Sequence, residues 1–239
     1  MGADLKKIAI MQPYLFPYIG YFQLVNAVDT FVFYDDVNFI KAGWINRNNI
    51  LINGKRKLIT VPCKKISQNK LINEVFLDPS PKILHNILRS IELAYKKALY
   101  FNEVFPLIYN LLSAYNKPTI SELAIDSVLL AANYLNLKPD FKKSSKDFPN
   151  SSKLKKDNRL IEISKLAGAG IYVNPIGGVE LYSKKKFKEE GITLNFVESG
   201  LINYKQYENE FVPNLSIIDV MMFNSPQQIK EMLNQYKLI

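Results

Sequence analysis

The chain has 239 residues, of which 48% are hydrophobic and 12% aromatic, enough for one large domain or a domain with a helical appendage. We interpret its formal charge of +9 first as a consequence of a Lys-rich and Asn-rich composition, and the alternative is an anionic partner. One cysteine and one histidine exclude an internal disulfide and a Cys/His zinc site, so we predict no metal site. No apolar run reaches the roughly 18 residues that span a membrane, and the pattern is typical of a cytoplasmic protein.

The N-terminal residues 8–36 predict a strand, a loop, a helix and a second strand. Ile8–Met11 and Thr30–Tyr34 are apolar runs of the length of buried parallel strands. Two prolines between them fix φ and remove backbone donors, so we place the helix only at Tyr21–Ala27. The result is a βαβ unit, for which a right-handed crossover is expected.

The middle of the chain predicts a hairpin followed by helices. Asn49–Ile52 and Lys57–Val61 are strand-like runs around Asn53-Gly54, a strong signal for a two-residue hairpin turn. Residues 81–137 carry apolar positions at helical spacing. Together these features predict a hairpin excursion and a helical insertion on the α/β core.

The third predicted helix is Ser121–Leu135, with Thr119 as its N-cap. The Ser-rich and Lys-rich residues 142–156 predict a mobile loop or lid. The remaining predicted elements are a helix at Arg159–Leu166, strands at Ile171–Asn174 and Ile192–Val197, and a last helix at Pro226–Tyr236.

The order of these elements predicts an α/β fold with a Rossmann-like, nucleotidyltransferase-like and mainly parallel sheet. We divide the chain into an N-terminal α/β half with the hairpin (1–80), a helical insertion (81–140) and a C-terminal α/β half (141–239). The C-terminal half is expected to complete the same sheet.

Polar side chains follow several predicted strands, at the edge where open α/β sheets bind their ligands. They are Gln12, Asp35, Asp36, Asn174 and Ser199. We interpret their positions as a ligand site. The alternative is that strand ends are polar because they reach the surface.

The segment Pro17–Tyr21 resembles the Pro-His-x-Gly-His loop of nucleotidyltransferases, in which the histidines contact phosphates. Tyr18 and Tyr21 stand at the two histidine positions. Phenols donate hydrogen bonds to phosphate but are not cations at pH 7, which weakens the case for adenylyl-transfer chemistry. The alternative is that these tyrosines only pack against the core.

A second cluster combines the single tryptophan of the chain with amides and cations. Its members are Lys41, Trp44, Asn46, Arg47 and Asn48. A stacking plane, amide hydrogen bonds and a guanidinium suit a sugar or a nucleobase. The alternative is a hairpin entry held together by asparagine side chains.

Histidine and cysteine each occur once in the chain. His85, on a predicted helix, is either an acid–base group or a surface residue. Cys63 follows a strand and is interpreted as a core thiol.

The same residues carry a family resemblance over nearly the full length. The chain resembles the WbqC-like protein family most specifically at Gln12-Pro13, Pro17, Gly20–Gln23, Phe33–Val37, Phe39–Lys41 and Trp44–Asn48, and more weakly at His85, Tyr95, Tyr100-Phe101, Gly191-Ile192 and Leu215–Asp219. The resemblance implies synthesis of O-antigen and other surface polysaccharides, including lipopolysaccharide. It also implies a glycine transferase acting on amino sugars.

The leading hypothesis is therefore acyl or aminoacyl (glycyl) transfer to the amine of a nucleotide-linked amino sugar. Asp36 or His85 is the candidate base, and the candidate donors to the tetrahedral intermediate are the Lys41 ammonium or the backbone amides of residues 13–20. Arg47 and the Lys-rich residues 142–156 are the candidate cations for the nucleotide diphosphate. Ser216 and Asp219 join the predicted substrate-binding set, and an aminoacyl-tRNA or a CoA thioester would supply the acyl group.

Two alternatives remain from the sequence. In the first, the chain is a nucleotidyltransferase-like enzyme in which Asp35 and Asp36 bind Mg²⁺. In the second, it is a non-catalytic tRNA-binding or nucleotide-binding module, in keeping with its positive charge.

Overall fold

A computed structural model describes residues 5–78, 80–207 and 210–239. Its strands are β1 (Lys7–Met11), β2 (Thr30–Phe33), β3 (Arg47–Ile52), β4 (Lys55–Thr60), β5 (Asp140–Lys143), β6 (Ile171–Pro175), β7 (Thr193–Ser199) and β8 (Tyr236–Leu238). Its α-helices are α1 (Ile19–Asn26), α2 (Pro81–Tyr95), α3 (Phe101–Ser113), α4 (Ile120–Tyr134), α5 (Ser144–Asp147), α6 (Lys156–Leu166), α7 (Lys184–Glu189), α8 (Ile217–Phe223) and α9 (Pro226–Leu233). Short 3-10 helices occur at Ile72–Glu74, Pro149–Lys153 and Ile176–Gly178.

Six strands form one mostly parallel sheet in the order β5-β2-β1-β6-β7-β8. All neighbouring pairs are parallel except β7 with β8. The chain runs outward from β1 through β2 to β5 and then returns to β6 on the other side of β1. The predicted α/β class with a mainly parallel sheet is confirmed. The order also creates a switch point between β1 and β6, where such sheets open a crevice for ligands.

Both faces of the sheet are buried, and successive strand residues alternate between them. On one face, Ala9 and Phe31 pack with apolar side chains of α1, α8, α9 and the α2–α4 segment. On the other, Ile8 and Val32 pack with α6 and α7. This two-sided burial explains why the strands read as nearly continuous apolar runs.

The predicted hairpin is confirmed. Ile52 pairs with Lys55, so Asn53 and Gly54 form the two-residue turn. Their φ angles are 52° and 70°, the left-handed conformation that this kind of turn requires and that Asn and Gly adopt at low cost. β3 and β4 form their own two-stranded sheet, with Ile50 of β3 buried in the main core.

The predicted third helix and its cap are confirmed in α4. The Thr119 hydroxyl accepts from the Glu122 backbone N–H at 3.3 Å, and the Glu122 carboxylate accepts from the Thr119 N–H at 3.2 Å. This reciprocal capping box pairs donors that a helix start otherwise leaves without partners.

The prediction of a mobile loop at 142–156 is wrong, because these residues form the end of β5, α5, a 3-10 helix and the start of α6. β5 pairs with β2, and the Phe141 ring stacks on Phe33 with centroids 5.6 Å apart. Ser144 is fully buried. We did not predict β5 from the sequence because this strand is only four residues long and carries a single apolar side chain.

The last predicted helix is too long. α9 ends at Leu233, and Tyr236 belongs to β8, where it pairs with Ser199 of β7. The helical spacing of apolar residues does not distinguish a helix end from a short edge strand three residues further on. Across the described residues, no helix has both the length and the apolar character needed to cross a membrane.

Candidate functional site

A groove of about 370 Å³ opens just beyond the carboxyl end of β1. We call it the aromatic groove; its lining residues are Tyr14, Pro17, Tyr18, Trp44, Asn48 and Asn214. Tyr18 is 39% exposed and Trp44 is 43% exposed, so two large aromatic side chains face solvent together. The structure thus brings two of the predicted clusters, the Pro17–Tyr21 turn and the Lys41–Asn48 segment, into one concave surface.

The floor of the groove is held by Phe16, a buried residue with a φ of 41°. Its N–H donates to the Ser127 hydroxyl at 2.9 Å, and its carbonyl accepts from Asn48 Nδ2 at 2.7 Å and Ser216 Oγ at 2.8 Å. A bulky residue adopts this conformation only when its surroundings enforce it. Bonds from α4, β3 and the start of α8 do so here, which fixes the shape of the loop that carries Tyr14 and Tyr18.

The two tyrosines of the predicted phosphate-binding turn have different positions. A Cβ added at Gly20 would lie 2.4 Å from the Tyr18 ring, so the glycine lets this ring lie against the first turn of α1. Tyr21 is buried, and its hydroxyl donates to the Gln12 carbonyl at 3.0 Å. Tyr18 therefore reaches the groove, whereas Tyr21 lies in the core and contacts the ring of Tyr14, with centroids 5.7 Å apart.

Burial raises the pKa of both Tyr14 and Tyr18 above the ordinary value of 10.0. The neighbouring Tyr18 adds to the effect on Tyr14. Both phenols are therefore neutral at physiological pH and present hydrogen-bond donors to a ligand. Asn214 adds an exposed amide to the same surface.

The segment that carries Trp44 is braced by Arg47, whose guanidinium carbon lies 6.0 Å from the Trp44 ring centroid. Arg47 Nε donates to the Gly43 carbonyl at 2.9 Å, and its Nη2 donates to the Ala42 carbonyl. Lys41 lies in the same turn and is exposed. The guanidinium thus positions the tryptophan while leaving the lysine open to solvent.

The two asparagines of this segment are buried and bonded to backbone. Asn46 Nδ2 donates to the Val61 carbonyl at 2.9 Å, and Asn48 Nδ2 donates to the carbonyls of Leu15 and Phe16 at 3.0 and 2.7 Å. These contacts match the alternative of a hairpin entry held by amides. Asn48 also has a second role, because it lines the groove.

Asp35 and Asp36 follow β2 as predicted, but other protein groups occupy their carboxylates. Asp35 accepts from the Ser145 hydroxyl at 2.7 Å and the Ser145 N–H at 3.0 Å. Asp36 accepts from the Ser144 hydroxyl and forms a 2.6 Å ion pair with Arg159. The exposed fractions of the paired side chains are 8% for Asp36 and 5% for Arg159.

Arg159 was not predicted to belong to this cluster. Its guanidinium carbon also lies 4.7 Å from the Tyr34 ring centroid, so it joins β2 to the start of α6. A signal was present, since Arg159 is one of only four arginines and lies directly before the apolar pair Leu160-Ile161. This position predicts that Arg159 is partly buried, and a buried guanidinium requires a carboxylate partner.

Asn174 ends up buried beneath the turn that follows β6. Its Nδ2 donates to the Tyr172 hydroxyl at 2.6 Å. A Cβ added at Gly178 would lie 2.3 Å from Asn174 Oδ1, so the turn closes over the amide only because residue 178 is glycine. Ser199, by contrast, is exposed at the end of β7 next to the edge strand β8.

Asp219 and Ser216 lie at the start of α8. Asp219 is fully buried and accepts from the hydroxyls of Tyr95 at 2.8 Å and Tyr204 at 2.7 Å and from Gln206 Nε2 at 2.8 Å. Burial raises the pKa of Asp219, and the three donors only partly offset this effect. Asp219 joins three segments of the core, while Ser216 caps α8 and holds the floor of the groove.

His85 and Cys63 lie outside the aromatic groove. His85 is exposed on α2, in a depression that it shares with Tyr109 and Ser113 of α3. Burial raises the pKa of the Cys63 thiol to about 12, so it is a poor nucleophile at neutral pH. In the part of the chain that the structure covers, no group of three or more His, Cys, Asp or Glu side chains is arranged to hold a metal ion.

The fold and the groove together define a mixed α/β protein with a pre-formed aromatic surface at the carboxyl edge of its sheet. The model of the WbqC-like protein family matches residues 12–231, and the chain belongs to this family. It is also similar to the uncharacterized protein Rv1507c of Mycobacterium tuberculosis, with 28% identity over 222 residues, 92% of this chain and 94% of that protein. No solved structure matches the chain.

Proposed function

We propose that the aromatic groove binds the sugar part of a nucleotide-linked amino sugar, and that the protein transfers an acyl group to it during bacterial surface-polysaccharide synthesis. The observation that carries the proposal is the joint exposure of Tyr18 and Trp44 in one groove of about 370 Å³. A volume of this size is within the range of small-molecule sites.

The chemistry of the lining suits a carbohydrate. The faces of Trp44 and Tyr18 offer apolar planes for the C–H groups of a pyranose ring. The neutral phenols of Tyr14 and Tyr18 and the amide of Asn214 offer hydrogen bonds to its hydroxyl or acylamino groups. Because Ser127, Asn48 and Ser216 fix the loop beneath, little ordering is required on binding.

The acyl-transfer step is proposed from the family resemblance, with glycyl as the leading group and a cytoplasmic location. Lys41 is the candidate donor to the tetrahedral intermediate, because it is exposed in the turn that leads to Trp44. Asp36 is less suited to act as the base, since Ser144 and Arg159 already occupy its oxygens. His85 is exposed but lines a different depression, so its role as the base requires a substrate that extends there.

The Rossmann-like assignment of the sheet stays a prediction, which the switch point between β1 and β6 supports. The nucleotidyltransferase-like alternative, with a Mg²⁺ ion at Asp35 and Asp36, gains no specific support. Both carboxylates are used by Ser144, Ser145 and Arg159, and the Tyr18 ring packs against Gly20. A non-catalytic module with the same groove would bind the sugar nucleotide and form no product, so an activity assay separates it from the transferase.

The single tryptophan makes the binding test direct, because all indole fluorescence comes from the groove. Titration with a UDP-linked amino sugar should quench this fluorescence in a saturable way. By calorimetry, Trp44→Ala should weaken binding by about tenfold or more, since stacking on an aromatic side chain contributes on the order of 1 kcal/mol beyond its buried area. The matched control is Tyr109→Ala, which removes a 48% exposed aromatic side chain outside the groove.

For the chemistry, the purified protein is incubated with the amino-sugar nucleotide and either glycyl-tRNA or a glycyl thioester of CoA, and the product is identified by mass spectrometry. N-acylated sugar nucleotide is the expected product, and Lys41→Ala should reduce its rate. Saturable binding without product from either donor would contradict acyl transfer and leave a binding module. Equal affinity of wild type and Trp44→Ala would contradict the proposed site itself.

A further inference from the structure

A second cavity, larger than the aromatic groove, lies between residues 64–78 and residues 112–118. Its volume is about 800 Å³, and it shares no lining residue with the groove. We call it the basic cleft, because lysines dominate its charged lining: Lys64, Lys65, Lys70 and Lys117. Against these four ammonium groups, Asp78 is the carboxylate among the lining side chains.

Three of these lysines are not held in ion pairs. Across the residues that the structure describes, Lys64, Lys65 and Lys70 make no ion pair within 4.0 Å. Lys117 is held by Asp126 at 2.7 Å, and the Tyr115 hydroxyl donates to the same carboxylate at 3.1 Å. An ammonium carries three donors, so Lys117 keeps hydrogen-bonding capacity toward the cleft.

The walls of the basic cleft are fixed by backbone pairing. The Lys64 N–H donates to the Phe76 carbonyl at 2.8 Å, and the Leu77 N–H donates to the Pro118 carbonyl at 2.8 Å. The Ile120 N–H donates to the Val75 carbonyl at 2.9 Å, which ties the same strip to the start of α4. The lysines therefore project from a pre-formed frame, in which four ammonium groups share the lining with one carboxylate.

An exposed aromatic ring lies in the same wall. Phe76 is 50% exposed and lines the cleft together with the apolar side chains of Leu84 and Leu112. Clustered ammonium groups attract phosphate oxygens, and a free aromatic face stacks on a planar base. A nucleotide matches this combination, because its phosphates can pair with the lysines and its base can stack on Phe76. A fully apolar or uncharged ligand would leave the lysines without partners.

We propose that the basic cleft binds a small molecule through a nucleoside diphosphate group, with the phosphates on Lys64, Lys65 and Lys70 and the base on Phe76. This assignment goes beyond the function proposed for the aromatic groove and does not depend on it. The volume of about 800 Å³ leaves room for a further substituent on the diphosphate.

The test measures binding of ADP, UDP, inorganic pyrophosphate and adenosine by calorimetry at 50 and 300 mM salt. ADP and UDP should bind saturably, pyrophosphate more weakly and adenosine weakest, and the nucleotide affinities should fall at high salt because ion pairing is screened. The triple variant Lys64→Gln, Lys65→Gln, Lys70→Gln should lose about tenfold or more in nucleotide affinity. Phe76→Ala should remove the preference of ADP over pyrophosphate.

The control carries the same change of net charge elsewhere. Lys96→Gln, Lys97→Gln, Lys237→Gln removes three exposed lysines, two after the end of α2 and one on β8, and should leave nucleotide affinity unchanged. Equal losses in the two triple variants would mean that net charge alone attracts the nucleotide, and would overturn the proposal. It would also be overturned if neither nucleotide bound, or if Trp44→Ala abolished ADP binding while the cleft variants retained it.

Discussion

The guanidinium of Arg159 lies 2.6 Å from the carboxylate of Asp36, and both side chains are almost fully buried. The ion pair joins the carboxyl end of β2 to the first turns of α6, across residues that the sequence suggested to be mobile. Burying two charges away from water is costly unless they are paired. Here Asp36 and Arg159 pair with each other, Asp36 also accepts from the Ser144 hydroxyl, and Arg159 lies over the Tyr34 ring. The pair therefore holds the carboxyl edge of the sheet in place.

The first prediction concerns this ion pair. Asp36→Ala leaves the Arg159 guanidinium buried without its counter-charge, so we expect the free energy of unfolding to fall by about 3–5 kcal/mol. Urea denaturation measures the change. Lys165→Ala, which breaks an exposed pair with Glu190, is the control and should leave the free energy of unfolding close to that of wild type. Similar losses for the two variants would show that the buried pair contributes no more than a surface pair.

The second prediction uses two adjacent glycines of the turn after β6. Gly178→Ala places a methyl group against the buried Asn174 amide, and overpacking of this kind costs about 1–3 kcal/mol. Gly177→Ala meets no atom within 4 Å, so its stability should stay at or slightly above that of wild type. Thermal and urea unfolding of the two variants supply the comparison. The geometry of the turn would be wrong if the order were reversed.

The third prediction concerns the position of the Tyr18 ring in the aromatic groove. Gly20→Ala forces the Tyr18 ring away from α1, since the new Cβ would lie 2.4 Å from it. Sugar-nucleotide affinity should fall by about tenfold, equivalent to ~1.4 kcal/mol. Tyr18→Phe keeps the ring and removes the hydroxyl, so it reports the hydrogen bond alone. Unchanged affinity in Gly20→Ala would mean that the position of this ring does not matter for binding.

The fourth prediction is a pH dependence at Asp219. Asn at this position has one acceptor oxygen for the donors from Tyr95, Tyr204 and Gln206, so Asp219→Asn should destabilise the fold by about 1–3 kcal/mol. Burial raises the pKa of Asp219 above its usual 3.8, so the folded state binds the proton more tightly than the unfolded state. Wild type should therefore lose stability relative to the variant as pH rises from about 3.8 through the raised pKa.

Urea unfolding of both proteins at several values between pH 4 and pH 7 checks the sign. The stability difference between wild type and Asp219→Asn should be largest near pH 4 and become constant once Asp219 is ionised in the folded state. Glu92→Gln, a change at an exposed carboxylate of α2, serves as the control. A difference that grows with pH would mean that the three donors outweigh burial and lower the pKa instead.

Much of the fold could be predicted from residues that are close together in the sequence. The Asn53-Gly54 turn and the Thr119 cap were predicted because their conformations depend on residues close in sequence. The apolar runs of β1 and β2 predicted buried parallel strands because both of their faces are covered. β5 was missed because its stability comes from pairing with β2 and from the Phe33–Phe141 stack, which are contacts between residues far apart in the chain.

The same distinction applies to the candidate site and to the whole protein. The sequence alone determined which residue types were present: tyrosines after β1, one tryptophan before β3, and two aspartates after β2. Only the tertiary structure decided that Tyr18 and Trp44 share a groove and that Arg159 pairs with Asp36. It also brought Lys64, Lys65, Lys70 and Lys117 together around one cleft. The physical reason is that pairing, burial and charge clustering depend on distances in space, which the order of residues does not contain.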